Sequence, residues 1–343
     1  MIASRRADID GLRGLAVLLV VFFHAGWLSG GFVGVDIFCV ISGYYMSKTA
    51  LMNTPFTPWK FVARRIQRLL PALLCMVTAI SLATLWWVLP MDRQDIAYNG
   101  WTALLYVSNF WASQHVGYFA GQSLAYPFLH TWSLSVEMQF YLLILLLGIT
   151  RRGWGALCCI AVGSLVAGQF NGGMGYYGFI ERLWQFAMGG IIAWLPDRRS
   201  LAPWLSSLIY CLATASIVVC SLLYQGTYAT PSLWALIPCL SAAILLLLPD
   251  APANNLLAAL SPVGRISYSL YLWHWPVIVW ATYFFERQIT GLSMALCIAA
   301  AIGISIISYL FIERRISVLL LLATNAVAAA LLFIISHLSL YIS

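Results

Sequence analysis

Four stretches of an otherwise apolar chain carry side chains that could do chemistry. The first, IDGLRGLAVLLVVFFHAG, pairs Arg13 with His24. Eleven residues of α-helix turn through about 1100°, roughly 20° past three full turns, so the two side chains share a face and stand about 16 Å apart along the axis. An imidazole of ordinary pKa about 6.5 can take a proton from a hydroxyl at neutral pH, or carry an acyl group as acyl-imidazole. The plainer alternative is an arginine snorkelling to one interface and a histidine resting at the other. Asp36 follows in GGFVGVDIFCVISGYY, a carboxylate inside an apolar run, where ionisable groups are expensive and rarely kept without a use.

The second stretch, KFVARRIQRLLPALL, sets Arg65 and Arg68 three apart on one side of a helix, with Arg64 adjacent. Guanidinium forks bind phosphate in bidentate fashion; such a cluster also serves as a topology determinant and headgroup contact. In LHTWSLSVEMQFYLL, helical phasing puts Ser133, Glu137 and Tyr141 at about 300°, 340° and 20° from His130, a polar stripe on an apolar helix. Glu137 must then be protonated, paired or facing a wet cavity, and a structural hydrogen-bond network is the simpler use. The fourth, ISYSLYLWHWPV, places Ser267, Tyr271 and His274 on one face just before Pro276, which can kink a helix. No G-x-S-x-G elbow, H-E-x-x-H, P-loop or dinucleotide fingerprint is present, so serine-triad and metal-hydrolase chemistry lack support and no metal site is expected.

The elements that must hold these groups are set by composition. Of the 343 residues, 62% are hydrophobic and 8% charged, and mean hydropathy is +0.89, which removes the chain from the soluble class. The expected fold is an all-α polytopic transmembrane helical bundle of about eleven spans, near 11 to 28, 32 to 51, 71 to 89, 130 to 149, 154 to 170, 179 to 195, 203 to 224, 232 to 249, 266 to 285, 291 to 312 and 316 to 340. Under this count Arg5/Arg6, Lys60 with Arg64, Arg65 and Arg68, Arg151/Arg152, Arg198/Arg199, Arg265 and Arg314/Arg315 fall on one side, leaving only Arg93, Arg182 and Arg287 opposite. The positive-inside rule places the N-terminus in the cytoplasm and the C-terminus outside, and accounts for most of the net charge of +7 without nucleic acid. The external loop 90 to 129, rich in aromatics, is expected to lie along the interface or fold back as a lid. The basic-then-apolar start lacks a cleavage signal and is kept as the first helix. All eight cysteines sit in apolar runs and read as small hydrophobes.

Taken together, the stretches IDGLRGLAVLLVVFFHAG, GGFVGVDIFCVISGYY, FVARRIQRLLPALL, FLHTWSLSVEMQFYLL and ISYSLYLWHWPV resemble, in order and over roughly residues 8 to 315, the acyltransferase-3 family of integral-membrane O-acyltransferases such as O-antigen acetyltransferases. The resemblance implies a membrane acyltransferase domain over 1 to 315 followed by a C-terminal transmembrane helix over 316 to 343, in a stand-alone form without the esterase-like domain of larger members. It implies that Arg13 and His24 are the family's Arg-ten residues-His pair, that Arg65 and Arg68 are its R-x-x-R, and that Glu137 is the acidic residue of its W-S-L-x-x-E stretch. Cys39 and Tyr44 stand where Phe is usual. The donor implied is acetyl-CoA or another acyl-CoA, its phosphates held by Arg13, Arg65 and Arg68. The acceptor is a cell-surface carbohydrate or lipid-linked glycan, beside membrane lipids, and the location is the bacterial inner membrane. His24, Glu137 and Asp36 are then the catalytic candidates, the two carboxylates orienting the imidazole, while His130, Ser133, Tyr271 and His274 are candidates for the pocket wall. A proton-coupled transporter using His24, Asp36 and Glu137 is the rival, since intramembrane ionisable groups suit it equally; the cytoplasmic arginine clamp argues against it. The topology is checked by a reporter fused after Ser343 that is active only in the cytoplasm: it is expected to stay silent, and a bright signal would mean that the span count is off by one.

Overall fold

The structure, a computed structural model, describes residues 6–52, 56–116, 121–149, 153–169, 174–195, 201–226, 233–249, 251–285, 289–313 and 326–335. These are helical throughout, with no strand among the described residues. The order is α1 (Ala7–His24), α2 (Val33–Ser47), α3 (Pro58–Trp87), α4 (Pro90–Leu104), α5 (Ser108–His115), α6 (Trp132–Ile149), α7 (Trp154–Ala167), α8 (Phe179–Ala193), α9 (Pro203–Leu223), α10 (Leu236–Leu247), α11 (Asn254–Ala258), α12 (Ser261–Arg265), α13 (Ser267–Phe285) and α14 (Gly291–Ser308), with α15 at Ala326–Ile335.

Each expected span meets a helix, but length and apolarity alone single out four that could cross a membrane: Pro58–Trp87, Leu129–Gly148, Pro203–Leu223 and Gly291–Glu313. The first helix carries Asp8, Asp10 and Arg13, and α2 has only 15 residues, so the count of about eleven is not reached on these grounds. Bare apolar side chains on helix surfaces, such as Val162 on α7, Leu212 and Leu222 on α9 and Leu296 on α14, are each more than half exposed; helices this apolar all round belong in lipid. The chain is a membrane protein. Arg151/Arg152, Arg198/Arg199 and Arg314/Arg315, which weigh most in the expected orientation, and most of the expected last span lie outside the described residues.

One expectation is corrected. Pro71 does not break the helix: α3 runs through it from Pro58 to Trp87. Proline removes one helical hydrogen bond, a loss that a 30-residue helix absorbs. The segment 90 to 129, expected along the interface or as a lid, holds α4, α5 and a 3₁₀ turn at Gly121–Ala125.

The described residues fall into two compact units, one bounded by Met1–Phe61 and Gln139–Ser267, the other by Val62–Met138 and Tyr268–Ser343. In the first, α2 packs on α8 and α10, and α1 on α2, α11 and α12. Glycine lets these backbones touch. A Cβ on Gly14 would meet the carbonyl of Leu260, and one on Gly43 the carbonyl of Phe186, as is usual where helices associate without a hydrophobic drive between them. In the second unit α3 and α13 are tied at both ends: the Tyr268 hydroxyl donates to the Leu69 carbonyl at 2.6 Å, and the Leu89 amide donates to the Tyr283 hydroxyl at 3.1 Å. Gly43→Val should therefore cost roughly 2 kcal/mol or more through overpacking, read as a lower melting temperature of the purified protein. Gly163→Ala, where a Cβ meets nothing within 4 Å, should leave it unchanged.

Candidate active site

The first unit holds Arg13, His24 and Asp36. The unbroken helix α1 carries Arg13 and His24, which preserves their spacing of about 16 Å. Arg13 lies between Gly11 and Gly14, the two positions that bring α1 onto the backbone at Leu257 and Leu260, and its guanidinium stands 4.0 Å from Asp10. His24 is the last residue of α1 and is half-buried. Its ring lies 5.3 Å from that of Phe23, which meets Phe32 edge-on at 5.6 Å; Phe32 in turn meets Tyr176 at 6.4 Å.

Tyr176 caps a buried ion pair that the sequence analysis did not anticipate. Arg182, fully buried on α8, donates to Asp36 Oδ1 at 2.9 Å, Gln185 Nε2 donates to the same oxygen at 2.9 Å, and Arg182 Nε donates to the Tyr176 carbonyl at 2.8 Å. The guanidinium also lies 4.3 Å from the Tyr176 ring centre, a cation–π contact. The carboxylate of Asp36 is thus gripped by Arg182 and Gln185, and from the Tyr176 ring three aromatic contacts in series lead to His24. The signal was available: Arg182 and Gln185, three apart in FIERLWQF, sit on one face of a helix, and a carboxylate in an apolar run demands a partner. Near the N-terminus Arg6 makes a second fork, donating to both oxygens of Asp8 at 3.3 and 2.7 Å and to the Leu246 carbonyl at 3.1 Å. Its place in the topology count hid that packing role.

The second unit holds Arg65, Arg68, Glu137, His130, Ser133, Tyr271 and His274. Arg65 is half-buried and Arg68 exposed in the first half of α3, and Glu137 is half-buried on α6. The other four come together. Tyr271 donates to the His130 carbonyl at 2.9 Å, so Ser133, 2.6 Å away, must donate to Tyr271. The ring of His130 lies 5.6 Å from Tyr271 and 5.9 Å from His274. His274 Nδ1 stands 3.0 Å from the Leu270 carbonyl, which requires its proton there. His130 itself occupies a 3₁₀ turn, Leu129–Thr131, ahead of α6; the phasing expected from a single α-helix does not hold through that turn, whose pitch is tighter. Hydroxyls secure the turn: Thr131 donates to Ser108 at 2.9 Å, Ser108 and Ser135 are 2.9 Å apart, and Asn99 Oδ1 accepts from the Phe128 amide at 3.1 Å. Chemically this cluster is a chain of donors ending on a backbone carbonyl, which fixes the entry of α6 beside two buried imidazoles.

Apolar outer faces around buried charged groups define a helical membrane protein. The model of the acyltransferase domain family matches residues 6–313, and the chain belongs to that family, acyltransferase-3. It is 51% identical over 320 residues to the candidate membrane-bound transacylase BcsY of Komagataeibacter xylinus, across 91% of this chain and 83% of that relative. It is 30% identical over 344 residues to the peptidoglycan O-acetyltransferase OatA of Listeria monocytogenes, and 32% over 355 residues to the O-acetyltransferase OatA of Staphylococcus aureus. Those alignments cover 90% of this chain and 55% and 56% of the two relatives, so the chain spans about half their length. No solved structure matches.

The buried pair gives a test of its own. Removing one partner strands a charge, so Arg182→Met and Asp36→Asn should each destabilise the protein by about 3–5 kcal/mol. The double variant should recover part of that loss, measured as a double-mutant cycle on thermal unfolding in detergent.

Proposed function

We propose that the chain transfers an acyl group, most simply acetyl, from cytoplasmic acyl-CoA across the bacterial inner membrane to a hydroxyl of an extracytoplasmic glycan or glycolipid. The observation that carries this reading is α1, one unbroken helix with Arg13 in its first half and a half-buried imidazole at its last residue, in a chain of an acyltransferase family. The polyanionic nucleotide stays on the cytoplasmic side, where guanidinium groups bind phosphate, Arg13 of the first unit and Arg65 and Arg68 of the second being the candidates, and the uncharged pantetheine arm enters the protein. With His24 as general base, the imidazole takes the acceptor proton, the hydroxyl oxygen attacks the thioester carbonyl, the C–S bond breaks, and the leaving thiolate recovers the proton from the imidazolium. As an acyl carrier, His24 would instead be acylated first and then give the group to the hydroxyl. Glu137 has an assisting, polarising role in either route. Asp36 contributes through Arg182 and the aromatic series that ends at His24.

The test measures acylated glycan and acyl-CoA binding in membranes holding equal amounts of each variant. His24→Ala should keep donor binding and lose transfer at least about a hundredfold, while Glu137→Gln should lower the rate less completely. Arg65→Lys and Arg68→Lys, which keep the charge but lose the fork, should weaken donor affinity. Transfer by His24→Ala within about tenfold of wild type would be too small a loss for a catalytic imidazole and would return it to an ordinary membrane histidine.

A further inference from the structure

The second unit contains a cavity of about 250 Å³ that none of the residues assigned above lines. It lies where the C-terminal ends of α3 and α13 meet α4 and the turn before α6. Its wall is largely apolar, and set into it are the carboxylates Asp92 and Asp95, the phenols Tyr126 and Tyr283 and the indole of Trp280. Its framework is tied down. Trp275 Nε1 donates to the Tyr126 carbonyl at 2.9 Å, the Tyr283 hydroxyl accepts the Leu89 amide, and Arg93 turns its Nε to the Val88 carbonyl at 2.9 Å. Trp280 is braced edge-on by Trp87 at 6.2 Å, while its own indole N–H is buried without a hydrogen-bond partner.

Each feature selects against one class of ligand. Two carboxylates without a balancing cation in the wall disfavour phosphates, so the cavity does not suit the nucleotide of an acyl donor. The two carboxylates disfavour an acyl chain, which would leave them unpaired. A polyhydroxylated ring satisfies both: vicinal hydroxyls donate to carboxylates, and the C–H face of the ring lies against an indole or a phenol. The volume suits one sugar unit, being near the lower end of ligand sites at roughly 300 Å³. Burial and the neighbouring charge of Asp95 both raise the pKa of Tyr126, which keeps the phenol protonated as a donor. Along α13, Trp280 lies six residues, about 9 Å, beyond His274, so the cavity and the buried imidazoles share one helix.

We propose that this cavity is a subsite for one neutral sugar unit of the acceptor, with Asp92 and Asp95 taking its hydroxyls and Trp280 stacking on its face. The proposal rests on the reading of the acceptor as a glycan. It is tested on the full-length protein in lipid nanodiscs, without acyl donor, by titration with methyl β-glucoside, N-acetylglucosamine, glucuronate and phosphoethanolamine, followed by saturation-transfer NMR. The two neutral sugars should bind in the millimolar range. Asp95→Asn and Trp280→Phe should each weaken them by about fivefold or more, and glucuronate should bind wild type at least about tenfold more weakly than the glucoside, a gap that narrows in Asp95→Asn. Absence of sugar binding, equal affinity in wild type and both variants, or a preference for phosphoethanolamine would each overturn it. Parallel transfer assays separate the two readings. Acyl transfer with an unaltered acceptor KM in Asp95→Asn removes the subsite and spares the function, whereas variant-sensitive sugar binding in a protein that transfers no acyl group does the reverse.

Discussion

A charge buried away from water must find its opposite or be neutralised, and the first unit is arranged around that demand at Asp36. The carboxylate of α2 is held by Arg182 and Gln185 of α8 at 2.9 Å each, and Arg182 spends its remaining reach on the carbonyl and ring of Tyr176. Both side chains are buried, so these contacts replace hydration rather than compete with it. Such a pair adds little net stability compared with apolar packing of the same volume, but it is strongly position-specific, because any slip of α2 against α8 separates two charges. The register of those helices is thereby set, and Tyr176, Phe32 and Phe23 carry that register toward the end of α1.

Backbone contact does the rest. Lipid tails are as apolar as leucine, so apolar side chains gain little by leaving lipid for a neighbouring helix. Close approach then favours residues without side chains. Gly11 and Gly14 bring α1 against α11 and α12, and Gly43 and Gly189 bring α2 against α8. Arg13 sits between the two glycines of its own helix, so the motif that supplies the charged group also supplies the seam that fixes it. In the second unit hydroxyls play this part, Ser108, Thr131, Ser133, Ser135 and Tyr271 binding the head of α6 to its neighbours.

What was legible in the sequence was whatever depends on one helix at a time. Hydropathy located the helices, and the eleven-residue spacing put Arg13 and His24 on one face because α1 is regular from end to end. The clustering of His130, Ser133, Tyr271 and His274 was half legible, each pair being readable on its own segment but not their meeting through a hydroxyl. Pro71 misled, since a break in solution is tolerated where a long membrane helix can absorb it. Arg182 read as a topology residue, although it lies within α8 beside Glu181. The aromatic series from Tyr176 to His24 joins residues about 150 positions apart and leaves no periodic trace along the chain.

The glycine seam has an evolutionary consequence. Where a helix is located by its main chain, the side chains on its free faces can vary without moving its charged groups. Cys39 and Tyr44 lie on the helix fastened through Gly43, and their side chains are not what fastens it. Exchanges of bulk at such places alter the shape of the space beside a helix while its axis stays fixed. A scaffold of this kind separates two inheritances: position resides in residues that have no side chain, and selectivity in those that do, so new acyl or acceptor preferences can be explored by single substitutions that leave the reacting geometry intact.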